Sequence, residues 1–155
     1  MTIHSLQTEF WLPEKRAQVF AFFGDALNLE VITPPWLRFN VLTPAPIEMR
    51  PGTTIAYRLR LHGLPLRWLT EITHWEPPVR FVDEQRRGPY RFWVHTHTFR
   101  EQGGGTLCRD QVDYAVPGGA WVDRLFVRPQ LESIFAYRER ALKIRFPQTS
   151  ATAGR

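Results

Sequence analysis

The chain is poor in cysteine, methionine and lysine, and it has no long apolar run. Cys108 is the only cysteine among 155 residues, which excludes an intrachain disulfide and makes a reducing cytoplasm the expected setting. No stretch approaches the ~18 apolar residues of a membrane span, so no stable membrane insertion is expected. Met1-Thr-Ile-His-Ser-Leu6 lacks the basic stretch and apolar block of a secretory signal. Of the 20 basic residues only Lys15 and Lys143 are lysine, and the arginines are scattered, with Arg86-Arg87 the sole adjacent pair. A nucleic-acid binder concentrates such charge on a stripe or tail, so the net charge of +5 describes a solvated surface and no nucleic-acid partner. The one glycine run, Gly103–Gly105, is a hairpin tip rather than a phosphate cradle, and no cofactor is expected.

Aromatic residues, by contrast, are plentiful, with 6 Trp and 11 Phe in a chain that is 43% hydrophobic. That composition excludes intrinsic disorder, and the length suits one compact domain, expected over 1–147 with a frayed tail at 148–155. Turn signals at Arg50-Pro51-Gly52, His62–Pro65, Glu76-Pro77-Pro78, Arg87-Gly88-Pro89 and Gly103–Gly105 leave segments of about 8–12 residues between them. They separate segments rich in Val, Ile, Thr and aromatics, which read as strands near 38–43, 53–62, 66–75, 79–86, 91–101 and 106–116.

The flanks differ. Residues 3–11 alternate as a first strand. Pro13 and Glu14 suit a helix start, Gly24 its C-terminal cap, and Asp25 caps a second short helix ending before Pro34-Pro35. Residues 120–146 form the longest turn-free stretch, with Leu125, Phe126, Leu131, Ile134, Phe135, Ala141 and Leu142 mostly on one face. Pro129 either kinks this helix or starts its better half. The order is β-α-α-β6-α: an α+β chain whose seven-stranded antiparallel sheet curls around a long C-terminal helix. A helix about 10 Å across cannot fill so wide a concavity, so an interior cavity is expected.

Alternation assigns the faces. Ile55, Tyr57, Leu59 and Leu61 point inward, as do Leu66, Trp68, Thr70, Ile72 and His74. Phe81 carries Asp83 and Gln85 inward with it. The Trp93, His95, His97, Phe99 face is taken inward over the Phe92–Thr98 face because its large aromatics gain most from burial. Cys108, Asp110, Val112 and Tyr114 complete the set. Asp83, His95, His97 and Asp110 either satisfy one another across strands or orient a ligand's polar group, and the two roles are compatible.

Leu29–Leu37 (LEVITPPWL), Tyr57–Gly63 (YRLRLHG), Pro78–Gln85 (PVRFVDEQ), Gly88-Pro89-Tyr90 and Trp93–Phe99 (WVHTHTF), with this topology, resemble the helix-grip superfamily. That group contains START-related lipid-transfer domains, birch-pollen-allergen-like proteins and polyketide cyclase/dehydrase-like proteins. The chain looks most like a bacterial cyclase/dehydrase-like branch, sometimes fused to sugar-nucleotide epimerase-like domains. The resemblance covers about residues 5–146. It implies a deep cavity under the C-terminal helix that binds hydrophobic or aromatic molecules, in carriers and enzymes alike.

The expected function is binding of a small hydrophobic or aromatic ligand such as a lipid or polyketide-like molecule. Ile55, Leu59, Trp68, Trp93 and Phe135 supply walls; Tyr57, Asp83, His95, His97, Asp110 and Tyr114 supply polar selection. One alternative is an aromatase/cyclase- or dehydratase-like enzyme with His95, His97 and Asp110 as catalytic candidates. Another is a regulatory module for a partner oxidoreductase. A metal is not expected, because His95-Thr-His97 with Glu101 lacks the later histidine of a cupin site. Cys108, mid-strand among apolar residues, reads as a core residue and not a nucleophile. Trp36 reads as a core plug between the second helix and the sheet. The sequence leaves a homodimer open.

Overall fold

Six antiparallel ladders build one seven-stranded sheet in the order β1-β7-β6-β5-β4-β3-β2. The strands are β1 (His4–Leu12), β2 (Asn40–Val41), β3 (Thr54–Leu61), β4 (Leu64–Glu76), β5 (Arg80–Arg87), β6 (Phe92–Gln102) and β7 (Gly105–Ala115). Helix α1 (Arg16–Gly24), a 3-10 turn at Ala26–Asn28 and α2 (Leu29–Ile32) follow β1. After β7 the chain runs through α3 (Ala120–Val122), a π-helical turn (Asp123–Val127) and α4 (Arg128–Arg145). This computed structural model describes residues 1–148; the rest of the expected frayed tail, 149–155, lies outside the described residues. The α+β helix-grip arrangement read from the sequence is the observed one.

Several local expectations change. Helix α1 begins at Arg16, with Lys15 extended and no acidic residue in its first turn, so Pro13 and Glu14 precede it. Asp25, in extended conformation, follows Gly24, which therefore does not make a left-handed cap. Asp25 does cap the next turn, accepting from the Leu27 backbone N–H at 3.1 Å. The strand expected at 38–43 shrinks to two residues.

In β4 the register to β5 shifts between Ile72 and His74, so Thr73 is an extra residue. A bulge reverses which side chains face inward. His74, expected inside, is exposed, and Trp75 packs inward against Phe20 and Phe81 instead.

The last helix carries the other phase change. Its π turn buries Asp123 and turns Leu125 and Phe126 out to 57% and 53% exposure, against the expectation that they join the apolar stripe. Pro129 stands in the first turn of α4, where its missing N–H costs nothing, so it starts the better half of the helix. Thereafter Leu131, Phe135 and Leu142 are buried at helical spacing.

The buried core falls into three clusters along the sheet. Phe10, Phe20, Phe22, Phe23, Phe81 and Phe99 pack solidly beneath α1 and the end of α4. Edge-to-face contacts such as Phe20–Phe99 (5.4 Å between centroids) fix that cluster. Between the other two clusters, beneath the start of α4, space remains.

Candidate functional site

The unfilled space is a cavity of about 150 Å³, partly open to solvent. Strands β3, β4, β5 and β6 form its floor and α4 its roof. Its walls include Ile55, Leu59, Trp68 and Trp93, expected from strand alternation, and Phe135, expected from helical spacing. Tyr57, Asp83, His95 and His97 also line it, while Asp110 and Tyr114 do not. Tyr114 lies beneath the start of the last helix, fully buried, and its hydroxyl donates to Asp123 Oδ1 at 2.6 Å. That bond, with His4 Nδ1 3.4 Å from Asp123 Oδ2, seats the π turn on the sheet.

The four polar residues of the sheet interlock. Register pairs Asp83 with His95 and His97 with Asp110, yet the close contacts are diagonal. The His95 ring donates through Nε2 to Asp110 Oδ1 at 2.8 Å, and the His97 ring through Nε2 to Asp83 Oδ2 at 2.7 Å. His97 Nδ1 lies 3.2 Å from the same Asp110 oxygen. The imidazoles stack with centroids 3.7 Å apart, and Phe81 stacks on the far face of His97 at 4.0 Å. Thus the structural network expected of these residues exists, with three of its members on the cavity wall.

Burial opposes charge on every member, and the partners decide the outcome. For Asp110, burial pushes the carboxyl up, but hydrogen bonds from both histidines outweigh it and hold it well below the usual carboxylate range. Asp83 is lowered too: burial is again overcome, by the His97 hydrogen bond and the charges of His95, His97 and Arg138. His95 is lowered by burial and then by the neighbouring His97 charge, against the pull of the two carboxylates. Burial also drags His97 down, but hydrogen bonds to Asp110 and Asp83 leave it raised. One proton is therefore held on His97 in preference to His95. Burial raises the Tyr57 phenol strongly, with the Asp83 charge adding to it, so it remains a neutral hydroxyl.

Sequence reading missed Arg138. It lines the cavity from α4, with its side chain 11% exposed. Its guanidinium lies over the Phe135 ring at 5.1 Å and its Nη1 is 3.8 Å from Asp110 Oδ1. The signal was available: Leu131, Phe135, Arg138 and Leu142 follow spacings of four, three and four, so the arginine stands inside the apolar stripe.

A metal ion has one candidate seat among the described residues: Asp83, His95 and His97 bring ligand atoms within 4.8 Å of one another. Glu101, the carboxylate considered with these histidines, is instead exposed beyond them and 3.8 Å from Arg16. Both histidines already spend Nε2 on carboxylates, and the Arg138 charge beside Asp110 disfavours a dication. Cys108 is buried and free, and burial followed by the Asp110 charge pushes its thiol up to about 12, so it is no thiolate nucleophile.

Trp36, expected as a core plug, is 53% exposed and meets Tyr137 of α4 edge-on at 5.9 Å. Its neighbour Leu37 takes the buried position and lines the cavity. A Cβ at Gly88 would displace the end of the Gln85 side chain. That side chain clasps both backbone groups of Tyr90, donating to its carbonyl at 2.8 Å and accepting from its N–H at 3.1 Å, and so sets Tyr90 in the cavity wall.

The profile describing polyketide cyclase / dehydrase and lipid transport proteins matches residues 12–143. Among solved structures, protein Ms6760 of Mycobacterium smegmatis aligns with a TM-score of 0.68 at 17% identity, over 100% of this chain and 99% of that one. Major latex-like protein 151 of Panax ginseng aligns at 0.71 and 12% identity, over 94% and 99%. A nucleoside-diphosphate sugar epimerase of Corynebacterium glutamicum is 27% identical, with a TM-score of 0.69, over 88% of this chain and 28% of that chain. This chain thus corresponds to less than a third of that epimerase's length. No curated protein matches it.

Proposed function

The chain belongs to the polyketide cyclase/dehydrase and lipid transport family, and from that premise we propose that it binds a small hydrophobic or aromatic molecule in the cavity beneath α4. Family membership supports hydrophobic ligand binding in general. The observation that carries the reading here is the cavity itself: apolar and aromatic walls on most sides, with Tyr57, Asp83, His95, His97 and Arg138 gathered at its polar wall. Such a combination suits a ligand that is mostly apolar with one polar end. The ligand-contacting set is Ile55, Tyr57, Leu59, Trp68, Asp83, Trp93, His95, His97, Arg138 and Phe135, with Asp110 acting through the histidines it holds. The buried free thiol of Cys108 accords with action in a reducing compartment.

Native mass spectrometry of the purified protein, followed by extraction of bound material, tests this directly. The expected result is a copurifying small molecule, or uptake of added one-ring aromatics, abolished by the cavity-filling substitution Ile55→Phe. A protein that is empty and takes up no such probe overturns the proposal.

A second reading, proton-transfer catalysis of the aromatase/cyclase or dehydratase kind, draws on the orientation of His95 by Asp110 at 2.8 Å on the cavity wall. In it His95 removes a proton from carbon beside a carbonyl and returns it to the departing hydroxyl, releasing water. It predicts that His95→Ala abolishes turnover with the fold retained, whereas a carrier changes only in affinity.

A further inference from the structure

We propose that the molecule bound in this cavity is a compact, uncharged aromatic compound of about one ring bearing a carbonyl oxygen, and that Arg138 holds that oxygen. The inference rests on the cavity-binding reading above and adds size, polarity and charge to it.

Size comes from the volume. A cavity of about 150 Å³ matches those known to admit benzene. A long acyl chain or a fused polycycle exceeds this volume and would have to protrude through the opening. The aromatic walls suit a ring: Trp68 meets Trp93 edge-on at 5.1 Å between centroids, and Tyr90 lies 4.7 Å from Trp93. A flat guest gains stacking and edge contacts there that an aliphatic one does not.

Polarity comes from Arg138. Its Nε and Nη1 are buried and have no hydrogen-bond partner among the described residues. Asp110 Oδ1, at 3.8 Å, is too far to accept, and the Asp83 and Asp110 carboxylates are already engaged by the histidines. The Phe135 ring beneath the guanidinium holds it against the cavity. Leaving charged N–H groups buried without an acceptor is costly, and guanidinium nitrogens can only donate. The missing partner is therefore an acceptor, and a carbonyl oxygen is one with no hydrogen of its own to satisfy.

Charge comes from the balance around it. The groups facing the guanidinium are Asp83 from β5, His95 and His97 from β6, Asp110 from β7 and Tyr57 from β3. Asp83 and Asp110 stand beside Arg138, and His97 presents one ring nitrogen to each carboxylate at 2.7 and 3.2 Å, so negative charge already faces the guanidinium from the protein itself. A ligand carboxylate would add an uncompensated negative charge beside two others, and a cationic ligand would face Arg138.

The test is calorimetric titration of the full chain with ethylbenzene, acetophenone, benzoate and decanoate at neutral pH. Acetophenone is expected to bind at least about tenfold more tightly than ethylbenzene and more tightly than benzoate or decanoate. Arg138→Met is expected to reduce acetophenone to the ethylbenzene level while leaving ethylbenzene within about twofold. Should that variant not fold, the wild-type ranking together with Arg138→Lys, expected to retain part of the preference, decides the matter. Equal binding of ethylbenzene and acetophenone, or preference for benzoate or decanoate, overturns this inference and leaves cavity binding standing. Binding of none of the four overturns both.

Discussion

His97 and Asp83 are not cross-strand partners, yet His97 Nε2 lies 2.7 Å from Asp83 Oδ2. The register places Asp83 opposite His95 and His97 opposite Asp110, and each imidazole reaches diagonally to the other's partner. Diagonal neighbours on a sheet are farther apart than direct ones but within reach of long or aromatic side chains. The result is one closed unit across three strands instead of two separate pairs. Removal of any member therefore leaves a buried group unpaired.

Asp110→Ala should be among the most destabilising single substitutions in the protein. It strips His95 of its acceptor and removes the carboxylate 3.2 Å from His97 Nδ1, at a site where all three are almost fully buried. Breaking such a buried pair costs about 3–5 kcal/mol. Urea unfolding should show a midpoint lowered accordingly; an unfolding free energy within ~0.5 kcal/mol of wild type would contradict the network.

Stability should fall steeply in acid. Asp83 and Asp110 titrate below their unfolded value of ~3.9, so their contribution is complete above that range and is lost as pH falls through their folded values. His97, raised, contributes stability that is present below its unfolded value of ~6.5 and fades as pH rises through its folded value. His95, lowered, opposes it by costing stability as pH drops below ~6.5. Urea midpoints measured from pH 2.5 to 8, on the order of the range these groups span, should show a strong acid limb and a shallow slope near neutrality. Asp110→Asn should flatten the acid limb; an unchanged limb would assign acid sensitivity elsewhere.

Tyr114→Phe should act on the π turn and spare the cavity. It removes the donor to buried Asp123 at 2.6 Å, at a cost of about 1–3 kcal/mol. Hydrogen exchange should quicken at residues 123–127 while affinity for a one-ring aromatic stays within about twofold, since Tyr114 does not border the cavity. A large loss of affinity would return this tyrosine to the ligand-contacting group.

Gly88→Ala should loosen the cavity wall from outside it. The added methyl collides with Gln85, whose side chain holds both backbone groups of Tyr90. A destabilisation of about 1–3 kcal/mol is expected, together with weaker aromatic binding. Chemical shifts of the Tyr90 and Trp93 backbone amides report the displacement, and their constancy would refute it.

Alternation made the inward sets of β3, β6 and β7 legible, because a strand buried on one face has only two ways to lie. It failed at His74, where a bulge inserts Thr73 and reverses the faces, and an extra residue in one strand leaves no mark that period-two counting detects. Helical spacing likewise located Leu131, Phe135 and Leu142 but misplaced Leu125 and Phe126, because a π turn has a different pitch.

By itself the sequence determined the class of fold, the number and order of the elements, and an interior bearing carboxylates and imidazoles, because these follow from local periodicity and turn chemistry. Tertiary packing alone decided how much space survives. Phenylalanines from β1, α1, β5 and β6 fill one half of the concavity and confine the cavity to the other. It also decided that Arg138 faces that space with donors unspent, while Tyr114 and Asp110 are turned to partners of their own. Those outcomes depend on distances between side chains far apart in the chain, which no local pattern encodes.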